Sequence, residues 1–167
     1  MNIEYREATI KDAAGIGYVD VVAQQVAYRE FLPAAHLESM SVSDRTQAWH
    51  DFIQSDDPTQ LFVAEHEERV VGFVRAGNCN APDMGYIYDL FVLPDYWGKG
   101  VGEGLMKETH KVIQAYGHKS ALLYVFSDNA RARRFYERLG WSLNGKIYDK
   151  EISGETVRFL CYRWTAE

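Results

Sequence analysis

Cysteine is scarce: Cys79 and Cys161 are the only two in 167 residues. That is too few for a disulfide framework or a cysteine-built metal cluster, so both read as passive side chains of a reducing compartment. Long apolar runs are missing too, and no segment approaches the roughly 18 uninterrupted apolar residues of a membrane span. The first residues, MNIEYREATIKD, alternate polar with apolar and carry charge, unlike a secretory leader. These absences leave a cytoplasmic protein, with no membrane partner, as the expectation. Clustered positive charge is also lacking. Against 24 acidic residues stand 18 basic ones, for a net charge of −6, and the one basic run is RARR at 131–134. A nucleic-acid partner needs grouped Lys and Arg to neutralise phosphates, so none is expected. The acidic balance either favours a cationic small substrate or simply keeps the surface soluble.

What is present is an ordinary globular composition, 47% hydrophobic and 25% charged, at a length that suits one buried core. No repeat, linker or low-complexity tract divides it, so residues 1–167 read as a single domain. NIEYREA reads as a first strand. Thr9, with Asp12 three residues on, marks a helix start, and that helix is expected to run to about Arg29. A proline opens a short helix in FLPAAHLESM, and Ser43 opens another, with Ala48, Trp49, Phe52 and Ile53 on one face. QLFVAEHEERVVGFVRAG reads as an antiparallel hairpin turning at Glu67 and Glu68. After the polar loop NCNAPDMG comes a run at 86–93 that is apolar except at Asp89, which predicts a central strand covered on both faces. From Val101, a helical face carries Leu105, Thr109, Val112, Ile113 and Tyr116 and ends at Gly117. SALLYVF is a buried strand, a helix spans 129–139 with Ala132, Phe135, Tyr136 and Leu139 on one side, and two strands turn at Ser153 and Gly154. The order implies an α/β (α+β) fold with a mixed, mainly antiparallel central sheet of about seven strands flanked by helices. The strands on either side of the helix at 101–116 should be parallel, opening a crevice at their carboxyl ends.

The glycines point to that crevice. WGKGVG follows a strand and opens a helix, so unpaired N–H groups there form an anion cradle, with Lys99 adding positive charge. The spacing fits neither the nucleotide P-loop nor the dinucleotide fingerprint. Further on, Asn129 and Tyr136 stand seven residues apart and share a helical face that can look into the same crevice.

LFVLPDYWGKGVG and NARARRFYERLGW together resemble the two cofactor motifs of the GNAT superfamily of acetyl-CoA-dependent N-acetyltransferases, and the likeness extends from the first strand to Tyr162. It departs from the family pattern at Trp97, where Gln or Arg is usual, and at Glu103, an acid just past the loop. The resemblance implies an enzyme using acetyl-CoA as co-substrate and no metal. The pantetheine arm would pair with the splayed strand at Leu90, Phe91 and Val92, and the loop of Gly98, Lys99, Gly100, Val101, Gly102 and Glu103 would hold the pyrophosphate. A backbone N–H near Phe91 or Val92 would polarise the thioester carbonyl. Tyr136 would protonate the leaving thiolate, or else merely anchor its helix. Asn129 would cap its helix, bond the cofactor, or do both.

The base is harder to place. Some family members carry a glutamate where this chain has Tyr124. Asp89, the lone charge in an apolar strand, is the remaining candidate, because burial would raise its pKa. Its alternative role is to pair with a neighbouring Arg or with the backbone. The five histidines show no metal spacing. Tyr28, Phe31, Trp49 and Tyr148 form either an aromatic wall for an amine or part of the core. The expected activity is acetyl transfer to a primary amine of a small molecule by direct attack in a ternary complex. The alternatives are transfer to a protein N-terminus or lysine, and a CoA-binding sensor without transfer. A homodimer is left open.

Overall fold

Tyr5 between charged neighbours makes β1 (Glu4–Glu7) a short strand, and it takes an outer position in the sheet. The computed structural model describes residues 1–81 and 83–167. Among these, seven strands form one sheet in the order β1-β2-β3-β4-β5-β7-β6. The others are β2 (Gln60–His66), β3 (Arg69–Asn78), β4 (Gly85–Val92), β5 (Ser120–Phe126), β6 (Ser142–Ile152) and β7 (Glu155–Thr165). Every pairing is antiparallel except β4 with β5. The hairpin of β2 and β3 turns at Glu67 and Glu68, both at positive φ. The expected fold and the expected parallel pair are both present. Pro82, in the loop between β3 and β4, lies outside the described residues.

The helices are α1 (Ala13–Ala27), α2 (Ala34–Glu38), α3 (Val42–Gln54), α4 (Val101–Ala115) and α5 (Ala130–Arg138). Successive residues of β3 show how they are layered, because adjacent strand residues face opposite sides. Gly72 looks toward Leu105 of α4, whereas Phe73 packs on Trp49 of α3 at 5.1 Å between ring centroids. So α4 covers one face, and α1 and α3 the other. Leu105, Met106, Thr109 and Ile113 of α4 are almost fully buried, and each large apolar side chain so buried stabilises the fold by about 1.5–3 kcal/mol. Among the described residues, no helix is long and apolar enough to cross a membrane.

Several boundaries differ from the sequence reading. Asp12 accepts the Thr9 N–H at 2.7 Å as expected, but the first turn is a 3-10 segment at Ile10–Asp12 before α1 begins. That helix ends at Ala27 rather than near Arg29, in a turn closed by Leu32 N–H on the Tyr28 carbonyl. Helix α3 is capped by Ser41, whose hydroxyl accepts the Asp44 N–H at 3.1 Å, and not started by Ser43. Ala48 is exposed, because only Trp49 and its neighbours at 52 and 53 meet the sheet. Tyr116 lies past the end of α4 and is exposed, its hydroxyl donating to the Pro58 carbonyl. Strand β4 is central but is only half-buried from Asp89 onward, since its neighbour departs there.

Candidate active site

A bulge and a missing neighbour create the site. Arg75 pairs with Asp89 and Ala76 with Ile87, so Tyr88 is an extra residue on β4, and such a bulge bends the strand that carries it. Strand β5 pairs with β4 only at Gly85 and Tyr86, opposite Ala121 and Leu122. Beyond that the two parallel strands part, and a cleft of about 570 Å³ opens between them. Its walls include Leu90, Phe91, Val92, Tyr124, Asn129 and Tyr136, and the turn into α4.

The free edge of β4 is defined by alternation. Leu93 N–H bonds to the Val71 carbonyl, which commits the backbone groups of residues 93 and 91 to β3. Those of Leu90 and Val92 therefore face the cleft. Consistently, the Val92 carbonyl accepts the Trp97 indole N–H at 2.8 Å. Of the two residues expected to polarise a carbonyl, Val92 has its N–H on the open side and Phe91 does not.

The three glycines of the turn serve different ends. Gly98 and Gly100 have φ of +71° and +82°, a left-handed conformation costing other residues about 1–2 kcal/mol. A Cβ on either would meet open space. Gly102 has ordinary φ, but a Cβ there would sit 3.1 Å from the Phe135 ring, so its role is close packing of α4 on α5. The first bond of α4 runs from Gly104 N–H to the Gly100 carbonyl at 3.0 Å. The N–H groups of Val101, Gly102 and Glu103 are left without an intrahelical acceptor at the positive end of the helix dipole.

The charged residues of the loop fall apart from one another. Lys99 does not line the cleft, and its ammonium lies 5.6 Å from the Tyr96 ring. Glu103 lines the rim and pairs with Lys107 at 3.1 Å. The positive charges that do line the cleft are Arg131 and, at its exposed edge, Arg138, and the sequence reading missed both. The Arg131 guanidinium lies 3.5 Å from the centroid of Trp97 and has no ion-pair partner among the described residues. Desolvation lowers its pKa, with Tyr28 and Tyr136 opposing, yet a guanidinium stays charged at neutral pH. Trp97, the departure from the family pattern, is thus a platform that ties the β4 terminus to a cation on α5.

Helix α5 delivers both of its expected residues to the cleft. Asn129 is buried and its Oδ1 caps the helix by accepting the Ala132 N–H at 3.1 Å, leaving the amide nitrogen free of any bond to a described residue. Tyr136 is buried with its ring against Phe135 and Trp141. Its hydroxyl makes no hydrogen bond to a described residue. Burial pushes the Tyr136 phenol up, with Arg131 acting against that, so it is protonated across the neutral range. Tyr28 stands near it and is likewise pushed up, by burial first and by Tyr136 second.

Asp89 makes the arginine pair that was its alternative role. Its Oδ2 accepts the Arg75 Nε–H at 2.8 Å. Burial raises its pKa, and Arg75 opposes the rise without cancelling it. A second cavity of about 790 Å³ lies on the α1 and α3 side and shares Tyr28, Tyr88, Asp89, Phe91, Phe126 and Phe159 with the cleft. Of the proposed aromatic wall, Tyr28 lines both spaces. Trp49 lines the second while donating its indole N–H to Asp20 at 2.9 Å. Phe31 stands behind Tyr28 and Phe126, and Tyr148 is exposed on β6, where the outer hairpin leaves it. The sequence reading missed Phe126 and Phe159, which face each other at 4.4 Å across β5 and β7.

A mixed seven-stranded sheet, split at its one parallel pair beside a glycine turn, defines an acyltransferase fold. Residues 24–141 match the model of the acetyltransferase (GNAT) family, and the chain belongs to that family. It is 37% identical over 95 residues to a mycothiol acetyltransferase of Frankia casuarinae, across 51% of this chain and 28% of that protein. It is 36% identical over 90 residues to an uncharacterised N-acetyltransferase of Archaeoglobus fulgidus, across 51% of this chain and 61% of the other. The chain therefore spans less than two thirds of these relatives' lengths. Among solved structures, the PaiA N-acetyltransferase of Thermoplasma acidophilum, in complex with coenzyme A, superposes with a TM-score of 0.80 at 20% identity, covering 99% of each chain. The ribosomal-protein-S18-alanine N-acetyltransferase of Escherichia coli superposes with a TM-score of 0.71 at 15% identity, over 98% of this chain and 94% of that one. At such identities these superpositions speak for the fold alone.

Proposed function

We propose that the chain moves an acetyl group from acetyl-CoA to a primary amine of a small molecule, by direct attack within a ternary complex. The observation that carries this reading is the parting of β4 from β5 directly above the glycine turn, which sets an unpaired strand edge beside unpaired helix N–H groups. The residues fit the donor. The cleft edge at Leu90 and Val92 suits an amide-bearing arm that adds like a strand. Gly98, Gly100, Val101, Gly102 and Glu103 offer backbone N–H groups to a pyrophosphate, and Arg131 offers charge. Lys99 contributes to the field around the turn. The Asn129 amide nitrogen is a further donor to the arm. Acetyl-CoA supplies, when bound, an activated acyl group and a leaving thiolate.

The chain's own groups then have distinct tasks. Val92 N–H donates to the carbonyl oxygen where negative charge develops. Asp89 takes the proton that the amine loses as its nitrogen bonds to the acyl carbon and the carbon–sulfur bond breaks. A carboxylate with a raised pKa is the stronger base for this purpose. Tyr136 gives its proton to the departing sulfur, and its free hydroxyl suits that role. The second cavity, joined to the cleft at Asp89, supports a small acceptor.

The test is a thiol-release assay with acetyl-CoA across polyamines, amino acids, aminoglycosides and short peptides. Turnover on a small amine, with the acetylated product identified by mass spectrometry, is expected. Binding of acetyl-CoA without release on any acceptor would overturn transfer in favour of a sensor.

A further inference from the structure

Arg75 is the one cation in the apolar interior of β3, between Arg69 and Asn78 at its ends, and its surroundings hold it in a defined pose. Its guanidinium lies 5.0 Å from the Phe52 ring centroid and 4.7 Å from that of Tyr88. Asp89 takes only its Nε–H. Neither Nη group has a hydrogen-bond acceptor among the described residues, and Asp89 Oδ1 has no donor there. Arg75 lines the second cavity but not the cleft, whereas Asp89 lines both. An arginine fixed by two rings and one carboxylate presents its remaining planar fork at little entropic cost, and that fork matches a carboxylate.

The charge around this cavity bears on what it admits. Arg45, Arg75 and Lys150 balance Asp20, Asp89 and Glu151, so the chain's net negative charge is not concentrated here. Asp20 is already engaged by the Trp49 indole, by Gln24 at 2.6 Å and by Arg45 at 3.8 Å. A polycationic amine would have to sit against Arg75, where the free carboxylate oxygen is Asp89 Oδ1; Glu151, the cavity's other acid without a partner among the described residues, is exposed on β6. A zwitterion finds a partner for each end.

We infer that the acceptor is an α-amino acid or a comparably compact amino carboxylate, its carboxylate held by the Arg75 Nη groups and its amino group held on Asp89 Oδ1 at the mouth of the cleft. The side chain would then extend among the rings of the second cavity. The inference rests on the proposed acetyl transfer for its meaning, but it can be tested as binding alone. Arg75 is a specificity-determining residue in this account, and the order of the two groups points the amine, not the carboxylate, toward the cleft.

The experiment is a calorimetric titration of the CoA-loaded protein with the proteinogenic L-amino acids and their carboxamides, at about pH 6, below the ordinary α-amino pKa, so that both members of a pair carry the ammonium. At least one amino acid should bind, with its carboxamide weaker by about tenfold or more. In Arg75→Gln the acid and the amide should bind alike. The inference is overturned if no amino acid binds, if wild-type protein does not separate acid from amide, or if the preference survives in Arg75→Gln. Should that variant fail to fold, the wild-type comparison still decides. Thiol release tells the two readings apart. Equal release from amines with and without a carboxylate removes carboxylate recognition but keeps the transferase. An acid-selective binder that never releases thiol keeps the recognition but removes the transferase.

Discussion

Replacing Tyr136 by Phe removes one oxygen and leaves the ring. The ring packs at 5.2 Å from Phe135 and 6.2 Å from Trp141, and those contacts are unchanged by the substitution. The hydroxyl bonds to no described residue, so its loss orphans no partner, and such a change is nearly neutral for stability. The catalytic effect should be large by contrast. A positioned general acid contributes about 10²–10⁴-fold, or about 3–5 kcal/mol at 1.36 kcal/mol per decade. Burial raises this phenol's pKa, with Arg131 opposing, which makes it a weaker acid toward a thiolate and places the expectation near the lower end, at about 10²-fold in kcat. The assay is thiol release at saturating acetyl-CoA with an amine that the wild-type protein acetylates, alongside calorimetric binding of acetyl-CoA and a thermal melt. Slow turnover with unchanged binding and Tm is expected. A wild-type kcat would refute the assignment, and loss of acetyl-CoA binding would show that the residue holds the ligand rather than the proton.

Two further outcomes follow from the same geometry. Arg131→Gln should weaken acetyl-CoA binding by about tenfold, the worth of one charge-assisted bond, and the deficit should shrink as salt is raised; equal affinity at low salt would remove Arg131 from the site. Asp12 is buried, and although desolvation alone would raise its pKa, the bonds from both Arg6 Nη groups, at 2.8 and 2.9 Å, and from Thr9 hold it below the ordinary carboxylate value. A depressed folded-state pKa stabilises above the unfolded value, near pH 4, and that stabilisation is lost as pH falls through the folded value. Asp12→Asn should therefore cost about 1–3 kcal/mol at neutral pH by denaturant titration, with the gap closing in acid; a gap independent of pH would contradict the ion-pair account.

The parts of the site that lie on one element were legible in the sequence. Asn129 and Tyr136 share a helical face by spacing alone, and α5 does bring both to the cleft. Asp89 stood out as the one charge in an apolar run. Its partner did not, because the pairing with Arg75 depends on the β3–β4 register, which the Tyr88 bulge shifts and which no local pattern encodes. The lone arginine in VVGFVRAG was an available signal of the same kind as Asp89. Trp97 and Arg131 meet only because α5 folds back across the turn, and Phe126 and Phe159 only because β7 inserts beside β5. Glycine spacing marked the turn, yet it could not separate Gly98 and Gly100, needed for their backbone conformation, from Gly102, needed for packing.

The central claim is that the turn and the open strand edge hold acetyl-CoA. It is tested most directly by calorimetric titration of acetyl-CoA into the wild-type protein and into Gly100→Asp. Asp tolerates positive φ better than most residues, and its Cβ would enter open space, so the variant should fold while setting a carboxylate where the pyrophosphate is to lie. Saturable wild-type binding, weakened by at least about tenfold in the variant, is the predicted result. Equal affinity in the two proteins, or no binding to the wild type, would contradict it.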